Sequence, residues 1–198
     1  MVVSRIKSLI LVTQFAVLAA AGSAFAAQGH VYVADEGADA VSVIDATSFK
    51  RTGGIPVGQR PHNVQVSPDG KSVWVTNNGD PSSAAEAMPH GQMSKSEHGA
   101  MVGAGAVWVI DTATGAVIAK VLVGKHPAHV VVASDGRTAY VTNGGDNTVS
   151  VVDTAAQRVI GVIRVGASPH GLRISPDGKQ AWVANLKGGT VSVIDTAS

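Results

Sequence analysis

The chain has 198 residues, 45% hydrophobic and 15% charged, enough apolar side chain for one buried core. Its 15 Lys and Arg stand against 14 Asp and Glu, so no basic surplus remains to neutralise phosphates and nucleic-acid binding is not expected. Cysteine is absent, which excludes disulfides, thiolate zinc sites, attached c-type haem and a lipid-modified N-terminal Cys.

Arg5 and Lys7 precede an apolar run from Ser8 to Ala20, which ends in small residues and the Ala24-Phe25-Ala26 cleavage pattern. Residues 1–26 therefore read as a secretory signal peptide, and residues 27–198 as the mature domain in the periplasm or outside the cell. The apolar run is shorter than the roughly 20 residues of a spanning helix, so no membrane insertion is expected once the signal is removed.

An internal repeat organises everything that follows. Aromatic strands VYVAD, VWVTN, AYVTN and AWVAN place Tyr32, Trp74, Tyr140 and Trp182 at spacings of 42, 66 and 42. A second strand, VSVID, VWVID, VSVVD and VSVID, places Asp45, Asp111, Asp153 and Asp195 at spacings of 66, 42 and 42. The excess of 24 residues lies between Asn77 and Asp111, as an insertion at about residues 79–105. PHNVQVSPDG, PAHVVVASDG and PHGLRISPDG each run from a proline through alternating apolar residues into an Asp-Gly turn. A last strand ends at a glycine just before the next of these prolines.

Four short antiparallel strands per 42 residues describe an all-β protein, a β-propeller of four-stranded blades. The strings AYVTN and VWVTN, followed by VSVVDT or VSVIDT and by PHGLRISPDGK, resemble those of the YVTN-repeat β-propeller family. The resemblance covers residues 30–198 and implies an exported, usually seven-bladed ring without implying one reaction. Fourteen strands can be counted, about three and a half blades. The expectation is an N-terminal part of a longer ring, closed by remaining blades or by a second chain.

Antiparallel order places the insertion and the Pro-His segments on one face, around the central funnel. That face carries His62, His126, His129 and His170, a possible second site whose simplest role is hydrogen bonding to neighbouring blades. Within the insertion, MPHGQMSKSEHGAM holds the tetrads His90-Gly91-Gln92-Met93 and His98-Gly99-Ala100-Met101, with Met88 just ahead. Thioether and imidazole together suit a soft ion such as Cu(I). The stretch is similar to the Met/His-rich segments of periplasmic copper-resistance proteins, which implies Met88, His90, Met93, His98 and Met101 as copper ligands.

Asp69, Asp135 and Asp177 are turn residues by position, and Asn77, Asn143 and Asn185 close their turns. No nucleophile elbow, P-loop or zincin helix is present. The reading is a binding protein for a soft metal ion. The alternatives are a metal-free scaffold for a protein partner, and an enzymatic or redox propeller similar to lactonases or d1-haem proteins, with acids or axial histidines converging in the funnel.

Overall fold

The β-branched and aromatic runs of the repeat suit a pleated, packed surface, and each pairs with the next through a tight polar turn. The structure, a computed structural model, describes residues 29–78 and 104–197. The signal segment and Met88, His90, Met93, His98 and Met101 lie outside the described residues.

The described residues form four antiparallel sheets and no helix. The first sheet holds β1 (His30–Asp35), β2 (Ala40–Asp45) and β3 (Arg51–Pro56); the second holds β4 (Pro61–Val66), β5 (Ser72–Asn77), β6 (Ala106–Asp111) and β7 (Val117–Leu122). The third holds β8 (Pro127–Val132), β9 (Thr138–Asn143), β10 (Thr148–Asp153) and β11 (Arg158–Arg164); the fourth holds β12 (Pro169–Ile174), β13 (Gln180–Asn185) and β14 (Thr190–Asp195). The fourteen strands are thus divided among four blades. The first blade begins at the strand that is second in the full blades, and the fourth ends at the strand that is third.

Register follows the repeat. Trp74 faces Val109, Tyr140 faces Val151 and Trp182 faces Val193. The core lies between sheets, as three clusters. Val41, Val73, Val75 and Ile110 fill the first joint, with Tyr32 packed against them. Trp74, Val107 and Val109 meet Val130, Ala139 and Val141 at the second, and Tyr140 and Val149 meet Leu172, Ala181 and Val183 at the third. Because the second and third sheets are covered on both faces, β5 and β9 are buried along nearly their whole length. Outer strand β11 alternates between exposed and half-buried residues.

The Asp-Gly turns are structural. Asp69 accepts hydrogen bonds from the Ser67 hydroxyl at 2.6 Å and the Lys71 N–H at 3.1 Å, and these hold its carboxyl below the ordinary range. Gly70, Gly136 and Gly178 follow with φ of 72°, 72° and 74°, where a side chain would be strained. Among the described residues no helix is long and apolar enough to cross a membrane.

Candidate functional site at the funnel end

β4, β8 and β12 open the last three sheets and pack side by side around the axis. Their leading prolines, Pro61, Pro127 and Pro169, pair with Asn77, Asn143 and Asn185. The register slips within the next two or three residues of each strand. Such an irregularity re-aims side chains, and here it falls on the histidines.

His62 and His170 occupy the same repeat position in β4 and β12, and His129 lies one residue further along in β8. The three imidazoles converge. Nε2 of His62 and Nε2 of His170 are 3.1 Å apart, one donating to the other according to tautomer. Ring centroids are separated by 5.1 Å between His62 and His170, 5.1 Å between His129 and His170, and 6.4 Å between His62 and His129. His129 Nδ1 is buried without a hydrogen-bond partner.

The backbone beneath them is stitched by the Thr of the recurring Thr-Asn pair. Thr142 Oγ1 accepts the His129 N–H at 3.0 Å and donates to the His170 carbonyl at 2.8 Å. Thr76 repeats the pattern, accepting from Asn63 N–H at 3.0 Å and donating to the Ala128 carbonyl at 2.9 Å. Asn63 Oδ1 in turn accepts the Val130 N–H at 3.0 Å. The paired asparagine does a different job: Asn143 Nδ2 donates to Thr148 and Ser150 hydroxyls, and its Oδ1 accepts from Gly124 N–H. A Cβ at Gly124 would come within 2.6 Å of Asn143 Cγ, which explains the glycine that closes that blade. In the second blade Trp108 stands where the other repeats have serine, and Asn77 Oδ1 is left without a partner.

Electrostatics favour neutral rings. Burial, reinforced by His170, Arg173 and His62, pushes His129 from 6.5 down to about 4. Burial, and then His62, also lowers His170. Both are therefore uncharged near pH 7, with lone pairs available to a Lewis acid or a hydrogen-bond donor.

Beside the cluster lies a cleft of ≈ 300 Å³ lined by His62, His126, His170, Asn78 and Lys187, among others. The His126 backbone is left-handed, with φ of 50°, a conformation repeated at Arg60 and Ser168. Asn78, also with an unpartnered buried Oδ1, is the last described residue before the insertion. The insertion therefore leaves the fold at the rim of the imidazole cluster. Among the described residues no three His, Cys, Asp or Glu side chains stand ready to hold a metal ion. The physical reason is that the His62 and His170 nitrogens point at one another instead of at a common centre.

Of the sequence candidates, His62, His129 and His170 come together, and His126 lines the neighbouring cleft. Asn63, Asn78, Thr76, Thr142 and Lys187 were not singled out as site residues. For the threonines a signal exists, since Thr precedes the strand-ending Asn in two of the four aromatic strands.

The sequence profile of the Cytochrome D1 heme domain family matches residues 100–198, half of the chain. The chain belongs to the cytochrome d1 haem domain family. Among solved structures, hydrazine synthase of Kuenenia stuttgartiensis is similar, with a TM-score of 0.69 and 25% identity over 85% of this chain and 43% of that one. A structure described as a candidate 6-phosphogluconolactonase from Bacteroides uniformis shares the fold, with a TM-score of 0.62 and 14% identity over 84% of this chain and 47% of that one. The chain spans less than half the length of either. No protein of curated function matches it. These likenesses establish the β-propeller for this member of the d1 haem domain family, whereas the YVTN-repeat affiliation rests on the quoted strings.

Proposed function

We propose that the protein is an exported propeller that binds a transition-metal centre at its funnel end, with imidazole nitrogens of His62, His129 and His170 as donors. The observation that carries this reading is the convergence of three imidazoles from three successive blades, one of them with a buried, unpartnered nitrogen. Two nitrogens bound to one tetrahedral metal lie about 3.3 Å apart, given metal–nitrogen bonds of about 2.0–2.1 Å. The His62–His170 pair thus needs reorientation and loss of the shared proton more than translation.

The family's own group is a haem, and the donor set suits one. Neutral imidazole is a haem-iron ligand, and a second imidazole nearby can hydrogen-bond to a molecule held at the iron. When bound, haem iron would supply a redox-active Lewis acid. His129 and His170 would hold or face it, the Thr142 bridge would keep their backbones in place, and burial would keep both rings unprotonated.

A second reading has Cu(I) captured by Met88, His90, Met93, His98 and Met101. Its support is that the insertion departs from Asn78, at the rim of the same cleft. A lactonase reading has less support, because among the described residues no carboxylate lines this cleft.

Titration of the purified protein with haemin, and separately with Cu(I) under reductant, discriminates these readings. The expected result is a shifted haem absorption band whose affinity falls at least about tenfold in the His62→Ala, His129→Ala, His170→Ala triple variant. Affinity unchanged in that variant removes the cluster from the function. A Cu(I) affinity lost only when Met88, Met93 and Met101 are replaced assigns metal capture to the insertion, and no response to either metal leaves a protein-binding scaffold.

A further inference from the structure

The joint between the second and third sheets holds a cleft at the end remote from the imidazoles. The histidines stand near the start of β4 and β8, whereas this cleft is framed by the Asp-Gly turns that follow the same strands. Its volume of ≈ 550 Å³ exceeds that of the funnel cleft and lies in the range of small-molecule sites. Its lining is sorted by chemistry. Trp74, Val109 and Val132, all members of the buried cluster between these two sheets, form an apolar floor, and half-exposed Ile118 of β7 adds an apolar lip. Asp69 and Asp135 stand exposed on the two turns, one from each sheet. Among the described residues no lysine, arginine or histidine lines the cleft; Lys71, the cation nearest to Asp69 in sequence, stays outside it.

Two departures from the repeat open and charge this cleft. At the next joint, a Cβ on Gly178 would meet Ser134 Oγ of the third sheet at 3.5 Å, so the turns there are in contact. Gly136 is the equivalent glycine here, and a Cβ on it would meet nothing within 4 Å, so its turn stands clear of the second sheet. The second departure is chemical. Asp69 and Asp177 each accept a serine hydroxyl, from Ser67 and Ser175, but the third sheet has Ala133 at this position. Asp135 keeps the backbone N–H of Arg137 at 2.9 Å and receives no such hydroxyl, which leaves acceptor capacity on its carboxylate.

We propose that this cleft binds a small organic cation, a primary amine whose ammonium group is held by Asp69 and Asp135 and whose apolar body lies over Val109, Val132 and Ile118. Charge complementarity selects the class. An anion would meet two carboxylates with no cation in the lining to offset them, and a neutral apolar molecule would cover the floor without satisfying either acid. An ammonium offers three donors for charge-assisted hydrogen bonds, while its chain displaces water from the floor. The inference is independent of which ligand the funnel takes.

Isothermal titration of the metal-free full chain with hexylamine hydrochloride, 1-hexanol and sodium hexanoate at pH 7 tests it, since these probes share a chain and differ in head-group charge. Hexylammonium is expected to bind at least about tenfold more tightly than the alcohol, with hexanoate weakest. In the Asp69→Asn, Asp135→Asn double variant the preference for amine over alcohol should fall to within about twofold. Ile118→Lys leaves both acids in place and sets a cation at the exposed lip; it should weaken hexylammonium binding about tenfold. Circular dichroism confirms that each variant folds. The His62→Ala, His129→Ala, His170→Ala variant should bind hexylammonium as the parent does, and loss of binding there would move the amine to the funnel and overturn the proposal. No hexylammonium binding up to about 10 mM, equal affinity for amine and alcohol, or a preference that survives the double variant also overturns it. Calcium chloride that displaces hexylammonium at equal concentration overturns it in favour of a metal-ion site.

Discussion

Thr142 and His129 show how a repeat position can be diverted toward a site without loss of its structural duty. Asn63 and His129 are equivalent, since the N–H of each donates to the threonine hydroxyl of the adjoining strand. Asn63 uses its side chain to reach Val130 in the next blade, whereas the His129 ring turns to the funnel and leaves Nδ1 unpartnered. Stability should record the cost. The folded pKa of His129 is about 4 against 6.5 for a free imidazole, so between these values the unfolded chain binds more protons than the folded one. The contribution is complete above about pH 6.5 and is lost as the pH falls toward 4. Urea midpoints measured from pH 8 to pH 4 should therefore decline through this window. His129→Asn, which copies the sister blade, should flatten most of the decline, and an unchanged slope in that variant would place the titration elsewhere.

Strands and blades were readable from the sequence because a 42-residue period with alternating apolar positions has few other physical solutions. The fourteen strands and the common face of insertion and Pro-His segments follow from antiparallel order alone. The partition follows from the same repeat, which gives three, four, four and three strands in chain order, and the sheets pair in that way. What periodicity does not convey is contact. The approach of His62 to His170 spans 108 residues and depends on the curvature of the array. The role of Thr76 and Thr142 between blades was likewise hidden, since each looks like an ordinary strand residue. In the second blade Asn77 and Ala106 are directly paired, as Asn143 and Thr148 are in the third, so residues 78–105 replace what is elsewhere a four-residue turn. Substituting Gly-Gly-Asp-Asn for residues 78–105 should preserve the far-ultraviolet spectrum. It should also raise the unfolding free energy by about 1–2 kcal/mol through the shorter closed loop. A drop in stability would show that the excised segment packs on the blade. The same variant separates the two metal readings, because the imidazole cluster remains while every Met/His tetrad is gone.

Cooperativity across the array links these parts. Each blade is buried only by its neighbours, so stability should peak in the second and third sheets and fall at both ends, as in other repeat architectures. Val31, Val33, Trp182, Val191 and Val193 contribute little because water reaches them. Amide exchange should therefore rank the strands. It should be slowest in β5 and β9, which are buried along nearly their whole length, and faster in β2 and β13, which are covered on fewer positions. Exchange measured by mass spectrometry that is as slow in β13 as in β9 would mean that the fourth sheet opens only together with the whole array, so that cooperativity along the sheets outweighs the exposure of the Trp182 face.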